Sequence, residues 1–497
     1  MSDQPLRDAS GVAAVVVLAA GGGTRMKSAK SKLLHEVAGR SMLSYAVNAA
    51  AALEPEHLVV VVGHAKEQVL AHLAEIAPHC TTAEQPQQNG TGHAVACGLA
   101  VLPELAGVVV VTYADVPMLA GETLQALAAE HARSGNAVTV LTAVVADPTG
   151  YGRIVREGDQ IVRIVEHRDA DEGVRAITEI NSGIYAFDAA VLRDGLDSLE
   201  SDNDQGELYL TDVVSFARAG NFRTAPFVVA DTMQTEGVND RVQLAAMNAE
   251  MNRRILRKWM LAGVTIQDPL STWVHDSVDL APDVTLLPGT HLEGATSVAT
   301  GATIGPDTTL RDVEVGEGAT IIRTHGSLAV IGAGATVGPF SFLRPGTELG
   351  SRGKIGAFVE TKNAHIGEGA KVPHLTYCGD AVIGEGANIG AGTIFANYDG
   401  VRKSQTTVGK HSFVGSDSVL VAPVHIADGA YVAAGSTVTG DVGPGELGVA
   451  RAVQRNIAQW VVRKRAGTKT DAAARAALRA EQDPADQTTA NESENSL

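Results

Sequence analysis

Ile331-Gly332 is followed six residues later by Val337-Gly338, and Leu343 comes six after Val337. The same step links Ile383-Gly384 to Ile389-Gly390, and Val408-Gly409 to Val414-Gly415. It also links Val315 to Ile321 and Ile366 to Val372. A branched apolar residue at every sixth position fits neither a 3.6-residue helical period nor strand alternation. It marks a hexapeptide repeat, in which each six-residue piece is a short strand and a turn of a parallel β-helix. The apolar residue points into the narrow interior. No single coil can bury its own apolar face, so the coils must stack.

The rest of the chain is too long to share that core. At 497 residues two or more domains are expected. The formal net charge of −18 argues against nucleic acid or an anionic membrane as partner. The three cysteines, Cys80, Cys97 and Cys378, are too few and too scattered for a disulfide framework or a zinc site, so a reducing cytoplasm is expected. The polar start, Met1 to Gly11, has no signal-peptide pattern, and no apolar run is long enough to span a bilayer.

The first half alternates apolar runs with helical patterns. Ala13–Ala20, Leu58–Val62 and Val108–Thr112 read as strands buried on both faces. Met42–Leu53, Lys66–Ala77, His93–Leu102 and Glu122–Arg133 read as helices between and after them. This pattern predicts an α/β domain with a mostly parallel sheet, helices on both faces and ligands at the carboxyl ends of the strands. The first strand ends in Leu18-Ala19-Ala20-Gly21-Gly22-Gly23-Thr24-Arg25-Met26, a glycine-rich loop whose bare N–H groups can meet phosphate oxygens. It lacks the Walker pattern, and Met26 stands where a dinucleotide fingerprint needs its third glycine, so P-loop hydrolysis and Rossmann redox chemistry are disfavoured. Asp115, in Tyr113-Ala114-Asp115-Val116-Pro117 after the third strand, is placed as a magnesium ligand.

These segments occur in one order with Lys32-Leu33-Leu34-His35, Gly90-Thr91-Gly92-His93-Ala94, Gly150-Tyr151-Gly152-Arg153-Ile154, Glu166-His167 and Asn181-Ser182-Gly183-Ile184-Tyr185. The ordered set closely resembles the bacterial bifunctional N-acetylglucosamine-1-phosphate uridyltransferase/glucosamine-1-phosphate acetyltransferase family, from about Ala14 to Trp460. The resemblance implies that Leu18, Ala19, Ala20, Gly21, Lys32, Gln85, Gly90 and Thr91 hold the uridine nucleotide. It implies Gly152, Glu166 and Asn181 for the acetylated sugar, and Asp115 with Asn239 for magnesium. Two positions depart from the family: Ala114 stands where glycine is usual and Ser31 where proline is usual.

Arg241–Gly263 reads as one amphipathic helix, with Leu244, Met247, Met251, Ile255 and Trp259 on one stripe. It is expected as an arm between a nucleotidyltransferase domain (1–240) and a β-helix domain (264–464), each with a self-contained core. Within the repeats, Phe342–Gly346, Glu360–Lys362, His374–Tyr377 and Asn388–Gly392 carry polar groups, and Arg402, Lys403 and Ser404 belong to a projecting loop. His374, near Arg344, Lys362 and Tyr377 in these interruptions, is an acid–base candidate.

These stretches are similar to the acetyltransferase half of the same family, whose solenoid is a left-handed parallel β-helix. The resemblance implies His374 as general base and Arg344, Lys362, Tyr377 and Asn388 as holders of glucosamine 1-phosphate. It implies that the Ala391 N–H steadies the oxyanion, and that Asn397, Tyr398, Ser416, Ala434 and Arg451 contact acetyl-coenzyme A. It also implies UTP as co-substrate and a homotrimer with this site shared between subunits. A nucleotidyltransferase for another sugar and nucleotide is disfavoured by the intact His374-to-Asn388 constellation. A sensing or scaffold protein that has lost catalysis is disfavoured by Lys32, Asp115, Asn239 and His374. Residues 465–497 are expected to form a disordered acidic tail, with a short helix around Ala472–Glu481.

Overall fold

The computed structural model describes residues 11–202 and 205–482. The expectations for Met1–Ser10 and for 483–497 lie outside the described residues.

Val12–Ala19, His57–Val62 and Val108–Tyr113 are strands at the centre of one sheet, almost wholly buried because helices cover both faces. The sheet order is Thr224–Val228, Val138–Val144, Glu179–Asp188, Val108–Tyr113, Val12–Ala19, His57–Val62, Thr81–Glu84. Every pair along this order is parallel except those made by Glu179–Asp188, which is antiparallel to both neighbours. The four expected helices are Met42–Ala51, Lys66–Ile76, Thr91–Ala100 and Gly121–Ser134. A hairpin, Arg153–Glu157 with Gln160–Val165, leans off the sheet through the pairing of Arg153 with Ile180.

The second half is a parallel solenoid whose strands pair coil on coil. The chain returns to the same register position after 16 to 18 residues, as from Thr303 to Thr320, Thr336 and Lys354. It takes 25 residues from Asn388 to Phe413, because the loop Asn397–Ser404 is inserted there. That loop is closed by Ser404 N–H donating to Asn397 O at 2.9 Å and Asp399 N–H to Arg402 O at 3.1 Å. The six-residue apolar positions, including Ile331, Val337, Leu343, Ile366, Val372, Ile383 and Ile389, form one continuous core.

The connecting helix runs Arg241–Leu261, capped by the Asp240 carboxylate, which accepts from the N–H groups of Val242 and Gln243. Gly263, at φ +98°, ends it. Its stripe serves both halves. Met247 packs with Val37, Met42, Met118 and Val238, while Ile255, Leu256 and Trp259 close the first coils of the solenoid. The helix Lys469–Gln482 spans the stretch expected at Ala472–Glu481. Among the described residues no helix is long and apolar enough to cross a membrane.

Candidate active sites

At the carboxyl ends of the central strands lies a cleft of about 270 Å³ lined by Leu18–Gly21, Lys32, Gln85, Gly90, Thr91 and Asp115. The strand order puts these segments side by side, since Val12–Ala19 lies between Val108–Tyr113 and His57–Val62. Ala114 N–H donates to Leu18 O at 3.0 Å, so the glycine-rich loop and the Asp115 loop leave the sheet together. Gln85 is turned inward, its Nε2 donating to Gly90 O at 3.0 Å. The Thr91 hydroxyl accepts from Leu210 N–H at 3.1 Å, which leaves its proton to donate.

The charged centre is compact. Lys32 Nζ lies 2.5 Å from Asp115 Oδ2 and 3.3 Å from Asn239 Oδ1, and the Arg25 guanidinium reaches the same Asn239 oxygen at 2.9 Å. Val238 N–H donates to Asp115 O at 3.0 Å, tying the two oxygen-bearing loops together. A carboxylate and an amide oxygen that converge on one cation-sized position are hard donors of the kind magnesium takes, with phosphate oxygens and water filling its other positions. Among the described residues no cluster of three His, Cys, Asp or Glu could hold a metal alone, so such an ion would share its shell with substrate.

Beside this centre, Gly152, Glu166 and Asn181 meet. A Cβ built on Gly152 would stand 3.2 Å from Glu166 Oε1 and 3.5 Å from Asn181 Cβ, and Asn181 N–H donates to Gly152 O at 2.9 Å. Asn181 is oriented by donating to the Tyr185 hydroxyl at 2.8 Å and accepting from Gly183 N–H at 3.0 Å. Burial, with the charges of Asp169 and Asp212, raises the Glu166 carboxyl above its ordinary pKa. Tyr113, half-buried next to both carboxylates, has its pKa raised by desolvation and then by the charges of Asp115 and Glu166. Gln88, whose Nε2 donates to Ala20 O at 2.8 Å, and Glu207 also line the cleft; the sequence reading did not single them out.

In the solenoid, register decides the arrangement. Ala357 pairs with His374, Lys371 with Asn388, Asn388 with Phe413, and Phe413 with Tyr431. His374, Ala391, Ser416 and Ala434 therefore occupy the same position on four successive coils. Gly392 N–H donates to His374 O at 3.2 Å, Asp417 N–H to Ala391 O at 2.8 Å and Gly435 N–H to Ser416 O at 2.8 Å. Arg451 stands on the next coil, one residue further along, its Cδ 3.9 Å from a Cβ built on Gly435.

A second corner gathers the cations. Arg344, Lys362 and Gly379 are in register, with Glu360 paired to Tyr377 beside them. A Cβ on Gly379 would collide with the Tyr377 hydroxyl, so the missing side chain lets the phenol lie along this corner. Asn397 Nδ2 reaches Tyr377 at 3.4 Å and Asp380 at 2.5 Å. Arg344 is held by Glu360 at 2.9 Å. The Lys362 ammonium is held below its ordinary pKa, first by its contact with the Lys403 side chain and then by that group's charge. Lys403, supplied by the projecting loop, thus joins the cluster. Sequence distance hid this meeting. Cations crowded together are stabilised by an anion placed among them. Asn388 is not part of this corner: it lies on the other sheet of the solenoid, in the column of Lys371 and Phe413.

The MobA-like NTP transferase domain family matches residues 15–183. Curated relatives match nearly the whole chain. A bifunctional protein GlmU of Kineococcus radiotolerans is 56% identical over 469 residues, covering 94% of this chain and 95% of the relative. Those of Streptomyces avermitilis and Pseudarthrobacter chlorophenolicus are 56% and 55% identical, covering 94% of this chain and 98% and 96% of their own lengths. With this identity running from the α/β cleft through the solenoid, the chain belongs to the bifunctional GlmU family.

Proposed function

We propose that the two halves carry out consecutive transfers that build UDP-N-acetylglucosamine, a precursor of cell-wall sugars. The observation that carries the reading is the pairing of two sites on one chain: the Lys32–Asp115–Asn239 centre, and the column from His374 to Ala434 next to a cluster of cations. In the solenoid the amine of glucosamine 1-phosphate attacks the thioester carbonyl of acetyl-coenzyme A while His374 takes the amine proton; the C–S bond breaks, and the coenzyme leaves as a thiolate that takes up the proton His374 accepted. Arg344, Lys362 and Tyr377 hold the sugar phosphate from the cation corner, and Asn388 contacts the substrate from the other sheet of the solenoid, in the column of Lys371 and Phe413. The Ala391 N–H donates to the oxyanion. Asn397, Tyr398, Ser416, Ala434 and Arg451 contact the coenzyme.

In the α/β domain a phosphate oxygen of N-acetylglucosamine 1-phosphate attacks the α-phosphorus of UTP, and the bond to pyrophosphate breaks. The glycine-rich loop with Gln85, Gly90 and Thr91 holds the nucleotide; Gly152, Glu166 and Asn181 hold the sugar. Lys32 places its charge where negative charge gathers, and positioning with electrostatics supplies most of the acceleration in such transfers. Magnesium, when bound at Asp115 and Asn239, neutralises phosphate charge. One coupled assay tests the whole reading: glucosamine 1-phosphate, acetyl-coenzyme A, UTP and magnesium in, UDP-N-acetylglucosamine out. Failure of a folded protein to form the product would refute it.

The working divisions are 1–240, 241–263, 264–464 and 465–497. Three free cysteines fit a reducing cytoplasm. The active assembly is a homotrimer. Phe340, Phe358 and Leu375 stack on successive coils, 55%, 59% and 60% exposed, with the two phenyl rings 5.2 Å apart. An exposed apolar column of that kind supports a subunit contact on this face. Leu375 adjoins His374, so a covering subunit would also enclose the acetyl-transfer site. Sedimentation should give a trimer; a fully active monomer would rule this out.

A further inference from the structure

We infer that the first coil of the solenoid is a positioning element for the uridylyl site, acting through a clasp on the hairpin that follows Lys32. The inference rests on the role given to Lys32 above. The helical turn Lys32–Leu34 leads through His35 into the hairpin Glu36–Val37 and Arg40–Ser41. His35 N–H donates to Lys32 O at 3.2 Å, and Met42 N–H donates to His35 O at 3.1 Å. These two backbone bonds leave little slack between Lys32 and the hairpin.

The tip of the hairpin is held by the other half of the chain. Asp276 N–H donates to Ala38 O at 3.0 Å, and Arg40 Nη1 lies 2.6 Å from Asp276 Oδ2. From the connecting helix, Asn248 Oδ1 accepts from Ala38 N–H at 2.7 Å. Gly39, at φ +82°, lies flat against the His275 ring, and a Cβ there would collide with the imidazole. The Arg40 guanidinium also sits 4.8 Å from the Tyr45 ring centroid, and the Tyr45 hydroxyl donates to Val37 O at 3.1 Å. A cavity of about 380 Å³ beside the tip leaves these polar contacts to fix it.

The same clasp reaches the metal-side loops. Val37 shares an apolar cluster with Met118, Val238 and Met247. Met118 is three residues from Asp115, and Val238 adjoins Asn239. Lys32, Asp115 and Asn239 of the uridylyl centre are thus braced from one side by the connecting helix and the hairpin. A partly exposed ion pair contributes little stability by itself. Its effect here is positional: a displacement of about 1 Å at reacting groups can cost ~10²-fold in rate.

The test uses the full-length protein with Asp276→Ala, Arg40→Ala and the exchanged pair Arg40→Asp with Asp276→Arg. Each single change should lower kcat/KM for UTP about tenfold, below the full ~10²-fold misplacement effect. Amide hydrogen exchange across residues 32–42 should quicken, and acetyl transfer in the same preparation should hold. The exchanged pair should recover most of the loss. Unchanged uridylyl kinetics in the single variants, where Lys32→Ala abolishes the reaction, overturns the inference. So does equal loss of both activities, or an exchanged pair no better than the singles. If Lys32→Ala itself has no effect, the proposed role of Lys32 has failed, and the exchange rates alone then decide whether the clasp holds the segment.

Discussion

Asp115→Ala removes uridylyl transfer and spares acetyl transfer. Two effects combine. The variant loses the carboxylate that shares the cation position with Asn239, and it leaves the Lys32 ammonium without the partner 2.5 Å away. The Lys32 side chain is only 10% exposed, so its charge is poorly served by water. Removing one preorganised electrostatic group from such a site typically costs ~10²–10³-fold, and loss of the proposed magnesium ligand adds to it. Asp115→Asn keeps the shape and one oxygen while removing the charge. It should fall between the wild type and Asp115→Ala, with a raised magnesium requirement. The measurement is steady-state turnover at both sites in one preparation, with thermal unfolding as control. Equal loss of both activities in a folded Asp115→Ala protein would make the residue structural instead.

His374→Ala should lower acetyl transfer by ~10²–10⁴-fold, the usual contribution of a positioned general base, with uridylyl transfer unchanged. The competing nucleophile is Cys378, four residues on. Its thiol is fully buried in the solenoid core, and burial pushes its pKa up to about 12. The thiolate is the reactive form of cysteine, so at neutral pH this one is inert. It packs as a small apolar group in register with Thr361. Cys378→Ala should therefore acetylate at close to the normal rate. Direct transfer is wrong if Cys378→Ala abolishes acetylation in a folded trimer, or if acetyl-Cys378 is trapped by mass spectrometry with the amino sugar withheld.

The solenoid was legible because its signal is local and repeated: each Ile or Val at the six-residue step answers to its own coil. The sheet was legible where strands are buried on both faces, as at Val12–Ala19. Glu179–Asp188 was harder, since a parallel and an antiparallel neighbour leave the same mark on a buried strand. The sites were legible as types of residue at strand ends and repeat interruptions, and their meeting was not. Arg25 and Asn239 share a hydrogen bond across 214 residues of sequence, and Arg40 reaches Asp276 across 236. No periodicity predicts such pairs. Lys403 read as part of a projecting loop, and only the folded corner shows it beside Lys362. The connecting helix read as an arm. Its two ends in fact belong to two different cores, and the hairpin tip makes a second bond between the halves.

The in-register column along the solenoid is a ruler. Stacked coils are spaced by the inter-strand distance, ~4.8 Å. From the coil of His374 to that of Ala434 is three steps, or about 14 Å, and to that of Arg451 about 19 Å. For the coenzyme contacts proposed above, the reach of the acyl carrier is graduated in whole coils. Excising one coil's length, residues 417–434, would join Ser416 to Gly435 in the same register and keep the interior positions apolar. It would nevertheless bring Arg451, a proposed coenzyme contact, nearer to His374 by one graduation and offer the thioester past the proposed base. The repeat that makes the fold tolerant of such a deletion makes the chemistry intolerant of it.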